Sequence, residues 1–444
     1  MSDFLGPLIL ITFCSVVSYW EHSRYGTAVT PFGVMVWPYT VVVLMINLVG
    51  KQFGFFTISP QSVTFIVVSY TFFLVGGQLI IPLFRKSDGS FELEANTAKN
   101  ISQLFDIYRP LFVFLAFVSI VSGLLNFQIS IKELGWVNIG SEEFNVAYGT
   151  GWLSHIQNLS RLSFIFLMGD YLLNRKKHIL ILLVLVFLVI FIRQVKYHIF
   201  GIVLGAYFFC LLNGIIRFSI RKILFYSLSV FILFSATYYI GFLVVGLDYT
   251  FSAPTNVRLL NIFFTYLFGG PIAFSEILTE AKFPVYSTQE IIAVPINLFR
   301  FLTGDQNFID IIIHNWVSVS NNTDIFHTAN VYGAVGMLYM YLGKYLTWIY
   351  MFFLGAFSYL LWGISLRVRE SIGVQLVYGL IMAFLTVSFF DLYFNKLVTY
   401  ETTFYMLVIP PVYLLMRRLA RFSLTWLRSE SLGNEEDHSR VHLS

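Results

Sequence analysis

Apolar residues run along this chain in long stretches separated by short polar segments. A helix crosses a bilayer with roughly 20 apolar residues at about 1.5 Å of rise each. About eleven stretches meet or approach that length: 4–20, 32–50, 62–84, 110–128, 161–174, 178–195, 197–216, 223–246, 333–366, 371–394 and 398–416. The stretch 161–174 is short, and 333–366 is long enough to begin as a non-spanning segment. The first run, Phe4 to Tyr19, follows Asp3 rather than a basic region, so it reads as a span and not as a cleavable signal peptide.

Composition changes the picture from length alone. The 444 residues could make two or three soluble domains. With 57% hydrophobic and only 12% charged residues, against about 25% charged in soluble domains, water cannot be the only solvent. Residues 1–444 therefore read as one all-α polytopic membrane domain of about 11 helices (10–14). The 18% aromatic content suits packing against lipid and its interfaces. A net charge of +4 suggests no nucleic-acid partner. Cys14 and Cys210 lie inside apolar runs and give neither a disulfide framework nor a metal spacing.

Charge sets the expected orientation, because short cytoplasmic loops keep Lys and Arg. Arg24, the 85–109 group, Arg175 to Lys177, Arg217 to Lys222, Arg367 with Arg369, and the tail from Arg417 fall on alternate loops. That side is predicted to be cytoplasmic, with the N-terminus periplasmic and the C-terminus inside. The cytoplasmic loop 85–108 and tail 417–444 carry no interpretable motif. Two long periplasmic segments remain, 129–160 and 247–332. The second contains stretches apolar enough to lie in the interface or dip into the bilayer as amphipathic or re-entrant helices. Gly269, Gly270 and Pro271 are expected to break the first of these, 259–278, into half-helices. Non-helical backbone at such depth needs protein or a wet cavity around it, so a cavity open to the outer leaflet is expected.

Ten basic residues fall outside the cytoplasmic set: Lys51, Lys132, Arg161, Arg193, Lys196, Arg258, Lys282, Arg300, Lys344 and Lys396. Ionisable groups at membrane depth need a partner or a task. Arg193, Lys196 and His198 bring up to three donors within about 8 Å of helix length. They either snorkel to outer headgroups or form an anion site. Arg258 and Arg300 offer guanidinium forks suited to phosphate oxygens, or surface ion pairs with Glu280, Glu290 or Asp305. Ten outer carboxylates, Asp305 and Glu401 among them, compete for the role of base. His314 and His327 could move a proton, or serve as ordinary hydrogen-bonded histidines. No D-x-D or H-E-x-x-H spacing supports a divalent metal, and no Walker or Rossmann glycine pattern supports a nucleotide-driven pump. Gly333, Gly336 and Gly343 read as helix-packing residues. Asp170 and Asp391 each call for a partner inside the bundle.

Five features together resemble the O-antigen polymerases of the Wzy type, the oligosaccharide repeat unit polymerases. They are the span count, T-P-F at Thr30 to Phe32, Lys196 leading an apolar helix, Y-L-F-G-G-P-I-A-F from Tyr266 to Phe274, and T-A-N-V-Y-G-A-V-G from Thr328 to Gly336. The resemblance implies a GT-C-like, metal-independent glycosyltransferase without cofactor in the bacterial inner membrane. It would join repeats carried on undecaprenyl pyrophosphate, which serves as both donor and acceptor, at the periplasmic face. The lipid bilayer and a chain-length regulator protein are the further partners implied. Family members carry an essential Arg where Lys196 stands, and outer-loop arginines map onto Arg258 and Arg300. The expected catalytic set is Lys196, Arg258, Arg300, His327 and Asp305; the expected substrate-binding set is Arg193, His198, Tyr266, His314, Asn330 and Tyr332. A lipid-linked oligosaccharide flippase, an O-antigen ligase and a membrane acyltransferase are the alternatives.

Overall fold

A computed structural model describes residues 2–84, 98–139, 141–192, 196–219, 221, 232, 235–236, 239, 253–280, 286–309, 315–321 and 327–441. The predicted span 223–246 falls mostly outside the described residues, as do Arg193 and His314. The first half forms α1 (Ser2–Tyr25), α2 (Pro31–Leu48), α3 (Pro60–Ile80), α4 (Ala98–Leu134), α5 (Glu142–Gly149), α6 (Gly151–Gln157), α7 (Leu159–Asn174), α8 (Lys177–Ile192) and α9 (Lys196–Leu212). The second half adds α10 (Ala253–Glu280), α11 (Ala293–Thr303), α12 (Gly333–Arg367), α13 (Ile372–Thr386) and α14 (Leu397–Val441). A two-residue antiparallel ladder, β1 (Val317–Ser318) with β2 (Thr328–Ala329), sits between α11 and α12. Pro at the first turn and a side-chain cap start two of the helices: Thr30 accepts from the Gly33 amide before α2, and Ser59 from the Ser62 amide before α3.

The protein is thus helical, and five of its described helical segments are long and apolar enough to cross a membrane: Pro31–Leu48, Pro60–Phe84, Ile101–Leu134, Leu259–Thr279 and Gly333–Arg367. Helices α8, α9 and α13 are apolar but shorter. Large apolar side chains face outward along several of these helices. Leu79 on α3, Phe114 and Phe117 on α4, Ile181 on α8 and Phe353 on α12 are each more than 60% exposed. Such faces would be costly in water and are at home against acyl chains.

Two groups of helices carry the packing. In the first, α3 and α12 run parallel and touch backbone to backbone: a Cβ on Gly355 would collide with the Phe73 carbonyl, and one on Gly76 with the Phe352 carbonyl. Small residues at a helix contact permit this approach where lipid offers no hydrophobic drive. At the Arg24 end of this group, Glu21 is buried and accepts from Thr30, from Tyr359 and from Gln78 at 3.3 Å. In the second group α4 lies antiparallel to α7, α7 parallel to α9, and α9 antiparallel to α13. Asp170, fully buried, finds the partner its position demanded. Arg109 donates to both its oxygens at 2.6 and 2.7 Å, and Asn174 adds a third donor at 2.6 Å. Asp391 is met by Lys396 at 3.3 Å.

Three local expectations are corrected. Gly269, Gly270 and Pro271 do not break 259–278, because α10 is continuous through them. The glycines instead admit neighbours, with the Phe389 carbonyl and Gly333 amide against Gly270 and Ala329 against Gly269. The helix lies against the end of the bundle where α2 stops and α3 and α12 begin, through Phe268 on Gly50 and Phe55, the Ser275 hydroxyl under the Ser59 amide at 2.8 Å, and Phe274 on Gly336. Gly343 is not a packing residue. It kinks α12 with φ 68° and ψ −174°, and nothing stands within 4 Å of where its Cβ would be. The stretch 371–394 is not one helix: α13 ends at Thr386, and the chain then turns so that the Phe390 and Ser388 carbonyls accept from Gly333 at 3.2 Å and Ala334 at 2.7 Å.

Candidate functional site

Three helix N-termini converge at the predicted outer end of the second group. Arg161 lies in the first turn of α7, His198 in the first turn of α9, and Glu401 and Thr402 near the start of α14. Unsatisfied amides and the helix dipole make each such terminus partly positive. Arg161 and His198 are both buried, and Arg161 Nη2 stands 3.3 Å from His198 Nε2. Arginine has only donors to offer, so Nε2 accepts and the imidazole proton sits on Nδ1. Two adjoining hollows share these two side chains, each with room for about one water. Gln157, Asn158, Ser160 and Ile190 complete one; Gly201, Ile202, Leu380, Phe384 and Thr402 complete the other. A permanently charged guanidinium this deeply buried acts at a lowered effective dielectric, where its attraction for an anion exceeds that in water.

A carboxylate stands at the rim. Glu401 accepts from Asn158 Nδ2 at 2.7 Å, from the Tyr405 hydroxyl at 2.7 Å and from His155 Nδ1 at 3.0 Å. The Gln157 amide is held in turn, donating to the Tyr148 hydroxyl at 2.7 Å. Side chains on both sides of Arg161 are therefore fixed by hydrogen bonds before any ligand arrives.

Of the residues singled out in the sequence, His198 is in this cluster, and Lys196 begins the same turn of α9 with its side chain outside the described residues. The Arg258 side chain, in α10, lies outside them too. Arg300 and Asp305 are brought together, but with each other. Arg300 Nε is 3.8 Å from Asp305 Oδ2, its guanidinium donates to the Asn307 carbonyl, and both residues are partly exposed on the loop that ends α11. The turn after Gly304 folds the carboxylate back toward its own helix. His327 is buried with its ring 5.3 Å from Phe55, and its carbonyl accepts from Val319 at 2.9 Å, which fits a role in holding the β1–β2 ladder. Tyr332 is buried and donates to the Asn315 carbonyl at 2.5 Å. Burial pushes its phenol above the ordinary range, and Tyr286 beside it adds to the shift. Tyr266 is part-exposed and stacks on Phe390 at 6.0 Å. Asn330 follows the ladder and is partly exposed.

Arg161 and Glu401 stood in the sequence only as members of two sets of ten, and His155, Asn158 and Tyr405 carried no signal. The available clue was their company: H-I-Q-N-L-S-R is a polar approach to a predicted span from the outer side. Among the described residues no three His, Cys, Asp or Glu side chains gather to hold a metal ion. No curated protein and no solved structure matches the chain. A family model covers most of its length, residues 40–422, and the chain belongs to that family, described as a family of unknown function (DUF6337).

Proposed function

We propose that the protein is an oligosaccharide repeat unit polymerase of the O-antigen type, working at the periplasmic face of the bacterial inner membrane on repeats linked to undecaprenyl pyrophosphate. The observation that carries this reading is the buried Arg161 beside His198 where three helix N-termini meet. A pyrophosphate held there gains charge-assisted hydrogen bonds from the guanidinium. Lys196, two residues before His198, is the nearest further cation in the sequence. Negative charge grows on the leaving pyrophosphate as the glycosidic bond to it breaks. Fixed cations and dipoles that favour that charge lower the barrier as well as hold the donor. The outward apolar faces suit a substrate that arrives from the bilayer on a polyprenyl chain.

The hollows are water-sized, so the donor needs an opened form of the site, with the outer ends of α7, α9 and α14 parting around the headgroup. Deleting the gene in its own cell separates the classes. A polymerase deletion leaves lipopolysaccharide with single repeats on the core. A flippase or ligase deletion leaves none, and that result would overturn the proposal. Restoring the gene with Lys196→Ala or Arg161→Ala is expected to leave the single-repeat pattern unchanged.

A further inference from the structure

Glu401 holds three donors, and one of them is exposed at the surface. His155 is the last-turn residue of α6. Its side chain is 54% exposed, against 11% for Glu401. A carboxylate can only accept, so the 3.0 Å contact fixes a proton on His155 Nδ1 and leaves the Nε2 lone pair pointing away from Glu401. The carboxylate is itself immobilised by Asn158 and Tyr405. Asn158 also lines the Arg161 hollow, and Thr402, next to Glu401, lines the adjoining one. An imidazole whose tautomer and direction are set by a held carboxylate is the arrangement of a general base. Here it is built at the exposed rim of a cationic hollow.

We propose that His155 Nε2 takes the proton from the acceptor hydroxyl, and that Glu401 is the residue that positions it. This rests on the polymerase reading. As the acceptor oxygen forms its bond to the anomeric carbon, its proton passes to Nε2. The bond from that carbon to the pyrophosphate oxygen breaks, and its electron pair leaves with undecaprenyl pyrophosphate toward Arg161. The resulting imidazolium shares its Nδ1 proton with Glu401 and then returns a proton to water through its exposed edge.

The test uses the full-length protein in nanodiscs, with turnover of lipid-linked repeats and binding of undecaprenyl pyrophosphate measured separately. His155→Ala is expected to lower kcat about 100-fold or more while binding changes by less than about threefold. Added imidazole should restore part of the turnover through the space left at the exposed rim. Glu401→Gln should lower kcat about 10-fold or more without imidazole rescue. Wild-type turnover in His155→Ala would overturn the assignment. So would loss of turnover and binding together in both variants, since that marks a structural role. If the wild-type protein binds undecaprenyl pyrophosphate but never elongates, the polymerase reading itself fails, and the base assignment with it.

Discussion

Arg161 and His198 meet at 3.3 Å across two parallel helices, the guanidinium donating to an imidazole that can only be accepting. The pair occupies the first turns of α7 and α9, so both side chains project from helix ends that already favour negative charge. Arg161→Lys keeps the charge and loses the fork, along with the contact to His198. Hydrogen bonds to charged groups are worth about 1.5–3 kcal/mol, so undecaprenyl pyrophosphate should bind roughly tenfold or more weakly to this variant. Titration in nanodiscs measures it, and unchanged affinity would remove Arg161 from the anion site.

The Arg109–Asp170 pair makes a separate prediction about stability. Asp170 is fully buried and accepts three hydrogen bonds, two from Arg109. Removing one partner of a buried pair costs about 3–5 kcal/mol, because the remaining charge stays uncompensated, whereas an apolar pair of similar volume is often neutral. Arg109→Ala should therefore lower the Tm in detergent sharply. Arg109→Met with Asp170→Leu should recover most of the loss. Equal Tm values for the wild type and Arg109→Ala would contradict the pairing.

Two glycines of α12 are predicted to resist substitution for different reasons. Gly355 is constrained by space, since any Cβ meets the Phe73 carbonyl of α3. Gly343 has open space around it but adopts φ 68° and ψ −174°, a region that is nearly glycine-only and costs about 1–3 kcal/mol for other residues. Alanine at Gly355 costs a similar amount by overpacking. Both variants should unfold at lower temperature. Only Gly355→Ala should also weaken the α3–α12 contact, read by crosslinking cysteines placed on the two helices.

Much of this architecture was legible from hydropathy, because a bilayer forces its helices to advertise themselves as apolar runs. The boundaries of α2, α3 and α7 through α9 follow the predicted stretches closely. Asp170 and Asp391 were readable as residues in need of partners, since a lone charge at such depth is too costly to keep. What the chain does not write locally is contact across distance. Gly269 to Pro271 looks like a helix break until Phe389 and Ala329 are seen filling the space that the missing side chains leave. Arg300 and Asp305 come within 3.8 Å only because the turn after Gly304 folds the chain back toward its own helix. Arg161, His155 and Glu401 come from residues up to 246 positions apart in sequence, and no spacing rule joins them.

Orientation is tested by fusions. The charge pattern predicts a cytoplasmic C-terminus, so green fluorescent protein joined after Ser444 should fluoresce, and alkaline phosphatase at the same place should be inactive. The reverse pattern would put the Arg161 end of the bundle on the cytoplasmic side and remove the periplasmic reaction altogether. Cys14 and Cys210 are both fully buried, so added cysteines can be labelled against a low background to check individual loops.

The most direct measurement is elongation by the purified protein. Reconstituted in liposomes with lipid-linked repeats and no nucleotide, the wild-type chain is predicted to produce a ladder of products growing by whole repeats and to release undecaprenyl pyrophosphate. Arg161→Ala, inserted to the same level, should produce no rung above the single repeat. A wild-type protein that yields no ladder, or an Arg161→Ala variant that yields the same ladder, would contradict the account.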